Sequence, residues 1–278
     1  MSAPSPIRLL VSDIDGTLVT RDKRLTEGVL AAARALREAG IRLALVSARP
    51  AHGMDMLLEP LGIDTPRAGL NGGEILSPDG SLLESVFIEP EAAQAALDML
   101  ETHGIDAWIF GEGRWYIRNP QGGYVEHEQH AIRMTPTVVR DFTPFTTIAG
   151  KIMGSTADYP KLERVAIEMD AALGDVLSAH RSQPYYLDIT HPRANKGEAA
   201  LTLARLLGVA PEEMACIGDM PNDIAMLKVA GLAIAMGNAE EAVQAHAHVV
   251  TRTNEEDGWA YAVREFVLPR APANGEVV

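Results

Sequence analysis

Two carboxylates, Asp13 and Asp15, end the apolar run in "LLVSDIDGTLVT", where a buried strand should be finishing, and Gly16 and Thr17 follow them. An aspartate can act as the nucleophile of phosphoryl transfer and form an aspartyl-phosphate. Because an anionic nucleophile is repelled by an anionic phosphate, positive charge must come from elsewhere. A hard divalent cation together with a lysine supplies it. Mg²⁺ takes oxygen ligands and keeps several waters. Asp13 and Asp219 are suitable ligands, and Asp223, one helical turn beyond Asp219, can reinforce them. Asp15 is close enough to Asp13 to handle the proton of the leaving oxygen. Gly16 lets the backbone turn sharply and present N–H groups to phosphate oxygens. Ser47 can donate a hydroxyl hydrogen bond, and Lys196 can neutralise charge.

These groups lie far apart in the chain, so the elements between them must bring them together. "IRLLVSD" and "IRLALVSA" read as buried strands, and "RAGLNGG" as a short third one. "TEGVLAAARALREAG" reads as a helix with Thr26 as N-cap and Gly40 as its stop, and "HGMDMLLEPLG" as a second helix. "EILSPDGSLLE" predicts a hairpin turning at Pro78-Asp79-Gly80. Strands alternating with helices predict an α/β fold whose parallel sheet is covered on both faces. In such sheets ligands bind beyond the carboxyl ends of the strands. Four strand patterns end there in polar residues: Asp13, Ser47, Asn71 and, after "MACIGD", Asp219.

Each residue also has a bland explanation. Asp-x-Asp arises by chance about once in a chain of this size. Ser47 could cap a helix near Pro50, Asp219 could be an N-cap before Pro221, and Lys196 could be one more surface lysine. Together these explanations require the strand-end coincidence to be accidental.

From about Phe87 to Asp188 the texture changes, and tyrosine and tryptophan gather. A helix in "EAAQAALDMLETHG", an antiparallel pair in "DAWIF" and "RWYIR", a helix in "YPKLERVAIEMDAAL", and the segments "IAGKIMGS" and "YYLDIT" predict an α+β module. It would be inserted into a core formed by residues 1–86 and 189–278. The α/β pattern resumes through "KGEAALTLARLLG", "MACIGD", "PNDIAMLKVAG", "LAIAMG" and "AHVVTRT", and "PRAPANGEVV" reads as a frayed tail.

The 278 residues are nearly half apolar, yet no run is long enough to span a membrane, and "MSAPSPIR" does not read as a signal peptide. The single cysteine, Cys216, excludes an internal disulfide and fits a reducing cytoplasm. A net charge of −14 argues against nucleic acid or an anionic membrane as the main partner. It leaves room for a small anionic substrate, because local cations can outweigh the global sign.

The chain resembles the haloacid dehalogenase (HAD) superfamily of phosphatases. "DIDGT" is similar to that superfamily's first motif, Ser47 in "VSAR" to the second, Lys196 in "NKG" to the third and "GDMPND" to the fourth. An insertion between the second and third motifs resembles the type 2 (C2B) cap of the Cof-like subfamily, as do "LNGG" and "TNEEDG". Met220 departs from the small residue usual after the fourth-motif aspartate, which leaves the packing of that loop open.

The resemblance implies a Rossmann-type, doubly wound parallel sheet with an inserted α+β cap that sets specificity. It implies Asp13 as nucleophile and Mg²⁺ ligand, and Asp15 as general acid/base with its backbone carbonyl on the metal. Asp219 and Asp223 would complete the metal site. Ser47, Lys196 and Asn222 would hold phosphate, with Arg49 and Asn71 as substrate or supporting residues. Tyr124, Arg181, Tyr186 and His191 are the cap residues taken to face the leaving group. A Mg²⁺-dependent phosphomonoesterase acting on a small phosphorylated metabolite, such as a sugar phosphate, is the leading expectation, as a monomer or small homo-oligomer. A phosphotransferase such as a hexose-phosphate mutase, or a non-catalytic binding protein on the same fold, is the alternative. "EHEQH" (126–130) reads as a solvated helix or loop rather than a zinc site. Trp108, Trp115 and Tyr116 read as core or sheet-face residues, and Cys216 as a small core residue.

Overall fold

A computed structural model of the protein describes residues 5–273. The first part of the chain runs β1 (Leu9–Ser12), α1 (Glu27–Glu38), β2 (Arg42–Leu45), α2 (Asp55–Leu61), β3 (Arg67–Gly69), β4 (Glu74–Leu76) and β5 (Leu82–Ser85). Then follow α3 (Pro90–Thr102), β6 (Asp106–Gly111), β7 (Arg114–Ile117), α4 (Val125–Ile132), β8 (Thr137–Val138), β9 (Lys151–Ser155), α5 (Tyr159–Leu173), β10 (Ser178–Gln183) and β11 (Tyr186–Thr190). The last part is α6 (Lys196–Leu206), β12 (Met214–Gly218), α7 (Ile224–Val229), β13 (Leu232–Ala235), α8 (Glu241–Gln244), β14 (Val249–Val250) and α9 (Gly258–Ala262).

A parallel sheet of order β14-β13-β12-β1-β2 forms the centre of the fold. Strand β1 is buried on both faces, which is why it reads as an unbroken apolar run. Leu10, Leu43, Leu45 and Ile217 face α1, α2 and the segment around Trp259 and Val263. Leu9, Val11, Ala44 and Cys216 face α6 and α7 on the other side. Helix α1 buries Val29, Ala32, Ala33 and Leu36, the 3.6-residue stripe such packing needs. Thr26 Oγ1 accepts the Val29 N–H at 3.1 Å, and Gly40 leaves the helix at φ +74°, as its sequence predicts.

The third strand departs from expectation. β3 touches the parallel sheet through a single parallel bridge, Val46 to Ala68, and its ladder is an antiparallel one with β4, which pairs in turn with β5. Leu70 and Asn71 both take positive φ, 53° and 57°, and that turn folds the chain back. The hairpin at Pro78-Asp79-Gly80 forms as predicted. "AHVVTRT" contributes a strand of only two residues at the sheet edge. Strand β10 was not expected: it is a polar edge strand and carries no apolar alternation. In the tail, Leu268–Arg270 form a helical turn, and the Arg270 carbonyl accepts the Ile7 N–H at 2.7 Å. Residues 274–278, like residues 1–4, lie outside the described part.

A second sheet, of order β10-β11-β9-β6-β7-β8, is built from residues of the aromatic segment. One face, with Ile109, Ile152, Leu187 and Ile189, packs on α3 and α5. The other, with Trp108, Phe110, Trp115, Met153 and Tyr186, packs on Val125 and Ile132 of α4. Trp108, Trp115 and Tyr116 are buried as the sequence suggests. Among the described residues, no helix is long and apolar enough to cross a membrane.

Candidate active site

Beyond β1, the Asp13 N–H donates to the Ile217 carbonyl at 3.0 Å and carries the β1–β12 ladder one residue further. Asp13 is thereby fixed beside Asp219, which follows β12. Thr17 Oγ1 donates to Asp219 Oδ1 at 2.8 Å, and Asn238 Nδ2 donates to Asp219 Oδ2 at 3.2 Å. Gly16 turns at φ +83°, and a Cβ there would lie 2.3 Å from Asp219 Oδ2. The close approach of the two loops therefore requires glycine. Asp223 Oδ2 accepts the N–H groups of Asp219 and Met220, each at 2.8 Å, which closes the loop on its own carboxylate. Met220 points its side chain to solvent, so its size does not disturb that loop.

Lys196 opens α6, whose cap is Asn195, with Oδ1 accepting the N–H groups of Gly197 and Glu198 at 3.0 Å. Its buried Nζ donates to Asp13 Oδ1 at 2.6 Å and to Asp223 Oδ1 at 2.5 Å. Carboxylate oxygens of Asp13, Asp219 and Asp223 all lie within 4.8 Å of one another. Three buried carboxylates around one ammonium leave negative charge unbalanced, which a low-dielectric site penalises. Burial pushes Asp13 up to about 7, helped by Asp223 and Asp219 and opposed by Lys196. Burial likewise pushes Asp219 up to about 6. For Lys196, burial favours loss of the proton, but Asp13 and Asp223 outweigh it and raise the pKa. An all-oxygen cluster with excess negative charge fits a hard divalent cation.

Asp15 sits apart from this triad. Arg49 grips it in two places, Nε to Oδ2 at 2.6 Å and Nη2 to Oδ1 at 2.5 Å, and Lys23 Nζ donates to Oδ1 at 2.6 Å. Burial works to raise the Asp15 pKa, yet these cations hold it below the ordinary carboxylate range. Ser47 is buried, and its Oγ accepts the Arg49 N–H at 3.2 Å. The Ser47 carbonyl accepts the Asn71 N–H at 2.8 Å, and Asn71 Oδ1 accepts Asn222 Nδ2 at 3.1 Å. Asn222 Oδ1 is buried without a partner.

A cavity of about 590 Å³ opens beside Asp15 and Arg49. Its far wall comes from the second sheet and α4: His127, Glu128, His130, Lys151, Tyr186 and Asp188. Of the cap candidates, Tyr186 lines this cavity. Tyr124 stacks on Tyr185 with ring centroids 4.3 Å apart, outside the lining. Arg181 pairs with Glu163 at 3.6 Å, and His191 Nδ1 accepts the Arg193 N–H at 3.0 Å; neither lines the cavity.

"EHEQH" lies in α4, and it is not simply solvated: Glu128 is buried, and His127 and His130 face the cavity. Burial raises the Glu128 pKa. The i, i+3 spacing of His127 and His130 was the available signal. Lys151 and Asp188 were missed as well, although each is a charge within an apolar strand. Thr17 and Asn238, which orient Asp219, had no separate signal. Cys216 is a buried strand residue whose thiol pKa is raised by burial.

Residues 10–263 match the family model of haloacid dehalogenase-like hydrolases. The chain is 28% identical over 271 residues to the pyridoxal phosphate phosphatase YbhA of Escherichia coli (strain K12), covering 94% of this chain and 99% of that protein. It is 26% identical over 286 residues to the 5-amino-6-(5-phospho-D-ribitylamino)uracil phosphatase YwtE of Bacillus subtilis (strain 168), covering 94% and 98%. A crystal structure of a haloacid dehalogenase-like hydrolase from Bacteroides thetaiotaomicron superposes with a TM-score of 0.83 at 29% identity, covering 93% of this chain and 98% of that one. The chain belongs to the haloacid dehalogenase-like hydrolase family, among its phosphatases.

Proposed function

We propose that the protein is a Mg²⁺-dependent phosphomonoesterase that hydrolyses a small phosphorylated metabolite through an aspartyl-phosphate on Asp13. The observation that carries this reading is the buried set Asp13, Asp219, Asp223 and Lys196 at the carboxyl ends of β1 and β12. Asp13, Asp219 and Asp223 would hold Mg²⁺, with the Asp15 backbone carbonyl as a further ligand. Bound there, the ion supplies positive charge against the phosphate oxygens. Lys196, Ser47 and Asn222 hold the phosphoryl group, with Asn222 anchored through its Nδ2 to Asn71 Oδ1.

Asp13 attacks phosphorus as the ester oxygen leaves with a proton from Asp15. Water then attacks the aspartyl-phosphate, and Asp15 takes its proton. Held ionised by Arg49 and Lys23, Asp15 suits the second half. In the first half it must gain a proton, so a substrate that draws either cation away favours the acid role. Residues 87–188 act as a cap that covers the leaving group and excludes water. The named activities of the relatives, on pyridoxal phosphate and on a ribityl-linked phosphate, support a small organic phosphate as substrate. A screen for phosphate release from sugar phosphates, nucleotides and pyridoxal phosphate with Mg²⁺ tests the reading. Rearranged sugar phosphate in place of free phosphate would refute it.

A further inference from the structure

The cavity wall opposite Asp15 holds a pair of charges where apolar residues would suffice. In strands β9 and β11, alternate residues Lys151, Met153, Tyr186 and Asp188 point to the same face as Trp108 and Phe110 of β6. That face is otherwise aromatic, yet Lys151 and Asp188 are both almost completely buried in it. Lys151 Nζ lies 3.5 Å from Asp188 Oδ2 and 5.0 Å from the centre of the Phe110 ring. It also donates to the Ala48 carbonyl at 3.3 Å, between Ser47 and Arg49, which holds the pair over the reaction site. Asp188 Oδ1 is buried and has no hydrogen-bond partner. A buried carboxylate oxygen left so is costly, and a buried ion pair alone is often no better than apolar packing. Both residues line the cavity that contains Asp15 and Arg49.

We propose that Lys151 and Asp188 are specificity-determining residues that read a hydroxyl of the leaving group, so that the preferred ester carries a neutral, hydroxyl-bearing alcohol. This rests on the phosphomonoesterase reading. A hydroxyl can donate to Asp188 Oδ1 and accept from Lys151 Nζ at once. An amine on the leaving group would meet Lys151 and Arg49, and a second carboxylate would meet Asp188 and Glu128. Each of those loses on one contact what it gains on the other. Glu128 and Tyr186 line the same wall, the Tyr186 hydroxyl donating to the Tyr124 carbonyl at 3.5 Å.

The test compares kcat/KM, with Mg²⁺ present, for a hexitol phosphate, n-hexyl phosphate and the ω-amino and ω-carboxy analogues of hexyl phosphate. The wild type is expected to favour the hexitol ester over the other three by at least about tenfold, the scale of a hydrogen bond to a charged group. Asp188→Asn and the double variant Lys151→Met/Asp188→Leu are expected to lose that preference, chiefly through KM. The double variant removes both charges together, which avoids stranding either one. The Mg²⁺-induced rise in Tm reports that the fold and metal site of each variant are intact. Equal wild-type rates on the hexitol and hexyl esters, or a double variant that keeps the preference, would overturn the hydroxyl-reading pair alone. No phosphate release from any ester by the wild type would overturn the phosphomonoesterase reading and the pair with it.

Discussion

Raising pH should tighten Mg²⁺ binding steeply, because the cation must displace protons from buried carboxylates. Without metal, Asp13 is pushed up to about 7 and Asp219 to about 6. Near pH 8 both are largely ionised; near pH 5 roughly one Asp13 in a hundred and one Asp219 in ten are. Competition between proton and cation then weakens the apparent Kd by about two to three decades on going from pH 8 to pH 5, about 3–4 kcal/mol. The titration is shared between coupled groups, so it should appear as macroscopic steps rather than as one residue's curve.

Stability without metal runs the other way. A carboxyl whose folded pKa exceeds its unfolded value stabilises the fold while protonated. This contribution is fully present below about pH 4 and is lost as pH rises through about 7. The Tm without metal should therefore fall toward pH 8 as far as these groups decide it, while the Mg²⁺-induced increase in Tm grows. Titration calorimetry and thermal unfolding across this range measure both. An Mg²⁺ affinity that does not change between pH 5 and pH 8, or that is stronger at pH 5, would refute the electrostatic account of the triad.

Four substitutions probe the remaining roles. Asp13→Asn, nearly isosteric but unable to attack phosphorus, should abolish turnover while the protein stays folded by circular dichroism; more than a few per cent of wild-type activity refutes the nucleophile. Asp15→Asn should slow turnover by roughly 10²–10⁴-fold on esters with poor leaving groups. Arg49→Leu should raise the Asp15 pKa and so move the acid limb of the pH–rate profile upward; an unmoved limb would separate Arg49 from proton transfer. Gly16→Ala carries a strained φ worth about 1–2 kcal/mol and sets a Cβ 2.3 Å from Asp219 Oδ2, so Mg²⁺ affinity should fall, as calorimetry would show.

The strand-end half of the candidate site could be placed from the sequence because one geometric rule governs it. Asp13, Ser47 and Asp219 each follow an apolar strand, and a parallel sheet brings such positions to one edge whatever lies between them in sequence. Lys196 was legible from its place after the insertion, and Thr26 and Gly40 from helix-end chemistry that is local to a few residues. β3 forms where expected, but its main pairing is with β4, which its apolar content, the same for either partner, could not indicate. Its pairing was decided by the turn at Leu70 and Asn71, where two non-glycine residues take positive φ.

No such rule governs the far wall of the cavity. Which of its residues reach the cavity depends on how the second sheet and α4 sit over the core, and that placement has no period of its own in the sequence. Tyr124 and Tyr186 are both aromatic and both on that side, yet only Tyr186 lines the cavity, while Tyr124 is taken up in a stack with Tyr185. Arg181 belongs to the polar edge strand β10, and Glu163 is near enough to pair with it. Two of the residues that do reach the cavity, Lys151 and Asp188, were marked by a different signal. Lys151 interrupts "IAGKIMGS" and Asp188 interrupts "YYLDIT", each a lone charge where an apolar residue would pack better. A buried charge must find compensation, and Lys151 and Asp188 find it only in part from each other, since one carboxylate oxygen stays unpaired. The misfit of a residue with its own strand therefore marks cavity-lining positions that the aromatic content around it does not single out.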